Sequence, residues 1–234
     1  MEIDSQPIPD LYHLPGFYEP SSAISHLLGA VIFLGLGLLL LRRGWGNWAR
    51  VFFLGVYVFS GVLLFAMSGV YHQMVRGGTA HQVLGRIDHG AIFVLIAGTF
   101  TPAHGILFQG WLRWAPLMGI WSAAITGITL KTIFFEDLAE WLWLTFYLSL
   151  GWVGAISAVL LGMRYGFAFI KPLLWGGLVY SLGGALDLLN WPVVIPGVVH
   201  PHEVFHLAVL AGAWFHWCFV WQFATGKVEV NNRY

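Results

Sequence analysis

Charge is scarce in this chain. Eleven lysines and arginines and 11 aspartates and glutamates among 234 residues leave 9% charged and no net charge. A soluble domain carries about 25% charged residues, so a water-exposed globular fold is excluded, and without a basic excess no nucleic-acid partner is expected. Cysteine is nearly absent too: Cys218 stands alone, which excludes an intramolecular disulfide. The first 21 residues hold neither lysine nor arginine and no short apolar core, so no cleavable signal peptide is expected there. Glu2, Asp4, Asp10 and Glu19 make this stretch acidic, and it reads as a solvated tail. Internal repeats and low-complexity tracts are missing as well.

What is present is apolar: 58% hydrophobic residues, a mean hydropathy of +0.74 and 13 tryptophans. A membrane-spanning helix needs about 20 mainly apolar residues, and the chain divides into seven such runs. They cover about 22–41, 51–72, 88–108, 112–134, 141–163, 172–189 and 202–224. The expected fold is an all-α, seven-transmembrane-helix bundle. It has an acidic N-terminal segment (1–21), a single transmembrane domain (22–224) and a short C-terminal tail (225–234). Arg42, Arg43 and Arg50 separate the first two runs, Gly77-Gly78 marks a turn after the second, and Pro201 suits the first turn of the last helix. Trp45, Trp48, Trp111, Trp114, Trp141 and Trp191 fall near run ends, where indole rings favour the membrane interface.

Polar, metal-capable side chains are costly in hydrocarbon, so their recurrence at one depth marks a site. Ser68 and His72 are spaced i, i+4 on the second helix, and His202 and His206 share that spacing on the seventh, so each pair lies on one helix face. Because the helices alternate in direction, the end of the second and the starts of the third and seventh lie on one side of the membrane. That puts His72, Asp88, His202 and His206 at one level. Three imidazoles plus a water form a common catalytic zinc arrangement, and Asp88 is placed to accept a proton. Taken singly, each group has a structural explanation, as a histidine meeting headgroups or an aspartate capping the third helix; their coincidence favours one zinc site. His26, inside the first helix on the same side, reads either as a supporting partner or as a packing residue. His89, His104 and His200 fall near helix ends, and His81 in the loop after helix two. His216 and Cys218 stand ten and twelve residues beyond His206, about 15 and 18 Å of helix, too far to share a metal with it.

These residues resemble a known family. Ser68 with His72, then Asp88-His89-Gly90-Ala91-Ile92-Phe93 running into Ala97-Gly98-Thr99-Phe100-Thr101-Pro102, then His202 with His206, look like the bacterial hemolysin III proteins. Those proteins belong with the progestin and adiponectin receptors and more distantly resemble alkaline ceramidases. The stretch from Glu19 to His26 also resembles the family's first-helix motif. The resemblance implies zinc on His72, His202 and His206, with Asp88 contacting the water on the metal and Ser68 beside it. It further implies hydrolysis of a lipid amide or ester, with the acyl chain of a membrane lipid among the helices.

Three other readings compete. His202-Glu203-Val204-Phe205-His206 fits the H-E-x-x-H pattern of metalloproteases, with Glu203 as base and Asp187 as the obvious further carboxylate. A pore-forming or receptor-like protein would use the zinc structurally, and two histidines on facing helices could hold a haem. As for sidedness, Arg76, Arg86 and Lys131 lie on the amino-terminal side. Arg42, Arg43, Arg50, Arg113, Arg164, Lys171, Lys227 and Arg233 lie on the other. The positive-inside rule then predicts an inner-membrane protein with an external N-terminus, an external-facing site and a cytoplasmic C-terminus, opposite to the adiponectin receptors.

Overall fold

The computed structural model describes Tyr12 and residues 14–228; of the acidic residues in the first segment only Glu19 falls among them, and Glu2, Asp4, Asp10 and Arg233 lie outside. The described chain is helical: α1 (Pro20–Arg43), α2 (Trp48–Gln73), α3 (Thr79–Pro102), α4 (Trp111–Ile133), α5 (Glu140–Trp152), α6 (Gly154–Tyr165), α7 (Phe167–Leu188) and α8 (Pro201–Trp221). A π-helical turn, Ala103–Leu107, prolongs α3, and α5 and α6 follow each other as one rod across Val153, so the helices make seven rods. Six of them are long and apolar enough to cross a membrane. The remaining one, α4, carries Arg113, Lys131 and three threonines. The hydroxyls of Thr126, Thr129 and Thr132 donate to the carbonyls four residues earlier, which satisfies them without water.

The rods pack in sequence from α1 to α4, and α7 packs on α8. Contact between α1 and α8 closes the bundle, while α5 bridges α3, α4 and α7. Lipid tails are as apolar as leucine, so association rests on close packing, often through small residues. The α1–α2 contact shows this: a Cβ on Gly69 would lie 2.7 Å from Leu27 Cγ, and one on Gly61 would collide with the Phe33 ring. Tyr57, Phe65, Phe93, Phe219 and Phe223 are enclosed, whereas Leu28, Val31, Ile32 and Leu38 of α1 face outward, as a lipid-facing surface requires. Trp45, Trp48 and Trp111 are exposed at rod ends, as expected of interface residues.

Two boundaries differ from the hydropathy pattern. The third helix begins at Thr79, not near Asp88, because its polar first turns close backbone hydrogen bonds as well as apolar ones do. Asp88 is therefore a residue of the helix interior rather than a cap, and His81 is helical, its ring 4.6 Å from that of Tyr71. The fifth run is split at Val153, between Gly151 and Gly154, two residues that favour a break.

Candidate metal centre

The centre forms where three helix ends meet. His72 sits in the last turn of α2, and α8 opens on a capping box in which His200 and Glu203 bond reciprocally, with Pro201 in its first turn. That start sets the two α8 histidines one turn apart on the inner face. The ligand atoms of His72, His202 and His206 all lie within 4.8 Å of one another. The His202 Nε2 is 3.4 Å from His72 Nε2 and 3.1 Å from His206 Nε2.

The far side of two rings explains the orientation. His72 Nδ1 is paired with the Glu19 carboxylate, which also accepts from Arg76 Nη2 at 2.6 Å. His202 Nδ1 faces Asp187 at 3.3 and 3.4 Å from its two oxygens. A ring that donates Nδ1–H to a carboxylate presents an unprotonated Nε2. Lone pairs brought to 3.1–3.4 Å repel each other unless a cation lies between them, and about 3.3 Å is the edge of a tetrahedron with metal–nitrogen bonds of 2.0–2.1 Å. The donor set thus fits a metal ion, and its supporting carboxylates are the usual partners of metal-bound histidines. Burial alone would raise the Glu19 carboxyl, but the hydrogen bonds from His72 and Arg76, with the Arg76 charge, override it and hold the group below the usual carboxylate range. Glu19 is thus a buried carboxylate, not part of a solvated tail; the chain before α1 is fastened to the end of α2, with Glu19 N–H donating to the His72 carbonyl at 3.0 Å.

His26 of α1 stacks on His206, with ring centroids 3.8 Å apart and planes at 14°. It therefore buttresses the centre from behind. Asp88 and Ser68 line the same cavity as the three histidines, Ser68 beside the Asp88 carboxyl; Asp88 is not one of the clustered ligand groups. Glu203 faces elsewhere: one oxygen accepts from Ser22 Oγ at 2.7 Å and the other from the His200 backbone N–H at 2.9 Å. It joins α8 to α1, and Asp187 stands behind His202, so neither takes the place that the metalloprotease reading gives it. Two further histidines are engaged locally: His89 with the Gly85 carbonyl at 2.8 Å, and His104 with the Leu112 carbonyl at 2.8 Å and Ser157 Oγ at 2.9 Å. Cys218 is a free, half-buried thiol on α8.

From the centre, a cavity of about 900 Å³ runs between the rods, walled largely by apolar side chains such as Leu95, Phe100, Leu161 and Phe219. A helical bundle with apolar outer faces, a histidine triad able to hold a metal ion and a largely apolar cavity defines a multi-pass membrane protein. The chain matches the haemolysin-III related family over residues 17–217 and belongs to it. It is 32% identical over 200 residues to Hemolysin-3 of Bacillus cereus, covering 83% of this chain and 86% of that protein. To the Hemolysin-3 homolog of Bacillus subtilis it is 30% identical over 197 residues, covering 83% and 89%. The adiponectin receptor protein of Drosophila melanogaster is 26% identical over 233 residues, 92% of this chain but 52% of that longer protein.

Proposed function

We propose that the protein hydrolyses an amide or ester bond of a membrane lipid, with zinc held by His72, His202 and His206. The observation that carries this reading is the convergence of the Nε2 atoms of His72, His202 and His206, two of these residues buried and one half-buried, at the head of a largely apolar cavity. When bound there, zinc supplies Lewis acidity, which acidifies water and polarises a carbonyl. Asp88 acts as general base, taking a proton from the attacking water on its carboxylate and returning it to the departing amine or alcohol. Ser68 positions that carboxylate. Glu19 and Asp187 keep the His72 and His202 rings turned inward, and the cavity walls exclude water around the acyl chain. We place the amino terminus and the site on the outer face, because among the described residues seven of the ten lysines and arginines lie toward the opposite ends of the rods; a reporter active only in the cytoplasm, fused before α1, would be silent.

The names of the relatives favour a second reading, a cytolytic or receptor-like protein with a structural metal. Elemental mass spectrometry of the purified protein, beside amide and ester hydrolysis assays on lipid substrates, separates the two. The hydrolase predicts zinc lost in His202→Ala and hydrolysis lost with it. Stoichiometric zinc with no hydrolysis of either bond type would overturn the enzymatic reading and leave the structural one.

A further inference from the structure

Among the polar side chains that line the cavity and that the chemistry above does not use, two lie well beyond the metal centre and have buried polar atoms without a partner. His216 lies ten residues past His206 on α8, about 15 Å along the axis. It is 8% exposed, and both ring nitrogens are buried with no partner in hydrogen-bond geometry, the Leu173 carbonyl being the backbone group that bears on the ring. Tyr180 of α7 has its ring centroid 5.3 Å from that of His216, and its hydroxyl is likewise buried and unpartnered. Both side chains line the cavity.

Their placement is built into both helices. The His216 ring rests on Gly176 of α7, where any Cβ would collide with it, and the Tyr180 ring rests on Gly212 of α8, where a Cβ would lie 2.9 Å from three ring atoms. Each helix thus supplies, four residues apart, one ring and one glycine that receives the partner's ring. Leaving two buried polar groups unsatisfied costs about 1–3 kcal/mol each, so such groups call for a partner. An all-apolar wall would accept any acyl chain; this one has a hydroxyl and an imidazole at a single depth.

We infer that Tyr180 and His216 form a second subsite, which hydrogen-bonds an oxygen, a hydroxyl or carbonyl, carried partway along the chain of the bound lipid. This deepens the proposed function and rests on its reading of the cavity as an acyl-chain site. The metal centre fixes one end of the ligand, and the subsite selects chains oxygenated at the matching depth.

Oleate and ricinoleate, which differ by one mid-chain hydroxyl, test the two layers separately when titrated into the protein in lipid nanodiscs against a displaceable fluorescent fatty acid. Ricinoleate is expected to bind roughly two- to tenfold more tightly than oleate, the range one net hydrogen bond supplies. Tyr180→Phe and His216→Phe should each remove that preference while leaving oleate affinity unchanged. Should His216→Phe lose oleate as well, Tyr180→Phe, which removes a single oxygen, decides the matter. Equal affinity of the two acids in the native protein, or a preference that survives both substitutions, would overturn the subsite, water then being the partner of the two groups. Failure of both acids to displace the probe would instead sink the acyl-chain reading on which it rests.

Discussion

Glu19 and His72 are joined twice. The Glu19 backbone N–H donates to the His72 carbonyl at 3.0 Å, and the His72 ring donates Nδ1–H to the Glu19 carboxylate. One contact fixes the position of the chain ahead of α1, and the other fixes the tilt of a ring in α2. Arg76, in the connection after α2, completes the set by bonding the remaining carboxylate oxygen, which makes Glu19 the hub between two helix ends. Glu19→Ala is therefore expected to weaken metal binding by roughly 10–100-fold, the usual cost of losing such a supporting carboxylate. Chelator-competition titration measures it, and an unchanged affinity would remove Glu19 from the centre.

Alanine at His72, His202 or His206 is expected to empty the site, because two imidazoles with no third protein ligand fall short of a closed or catalytic zinc set. Metal content falls from near stoichiometric to background in each variant. Retention of stoichiometric metal in any of the three would show that it is held elsewhere.

Asp88→Asn should separate binding from chemistry. The metal stays, because Asp88 is not one of the clustered ligand groups, while hydrolysis falls by about 10²–10⁴-fold, the range that general-base catalysis supplies. A variant with full turnover would assign the proton transfer to another group.

Ser22 and Glu203 make the opposite prediction. Ser22→Ala leaves one oxygen of a buried carboxylate without its donor, a loss of about 1–3 kcal/mol, visible as a lowered unfolding temperature in detergent with metal content intact. Glu203→Gln keeps hydrolysis within a few-fold of the parent. A drop in turnover of a hundredfold or more would return Glu203 to the role of catalytic base.

Removing the metal should destabilise the whole bundle, since the three ligands come from α2 and α8 and an ion bound to the folded state alone adds about 2.7 kcal/mol at a free concentration of 100 times its Kd. A thermal scan with and without a strong chelator shows this as a fall in midpoint, reversed by added zinc. Indifference to the chelator would argue against a site that bridges helices.

The rods and the triad were legible in the sequence because hydropathy marks helices that face lipid, and i, i+4 spacing marks a shared helix face. The start of α3 was not, since hydropathy reports which residues a membrane tolerates and Thr79 to Arg86 form a helix without being apolar. Glu19 was hidden for a different reason: a carboxylate in an acidic stretch looks solvated until the fold pairs it. Besides the resemblance of the Glu19 to His26 stretch to the family's first-helix motif, its signal is Pro20 directly after it, a helix-start residue, which puts Glu19 at the same membrane level as His72. The support that Asp187 gives His202 depends on how α7 and α8 pack, and no spacing within either segment encodes it.

The contact between His72 and His202 spans 130 residues of sequence. At about 5–20 residues per second, on the order of ten seconds of synthesis separate the arrival of the first ligand from that of the other two. Every helix before α8 thus enters the bilayer with only one of the three ligands in place. A metal ion held by the triad would consequently be acquired late in biogenesis, by chains whose last helix has already docked, and truncated chains ending before His202 would have no triad with which to compete for the ion.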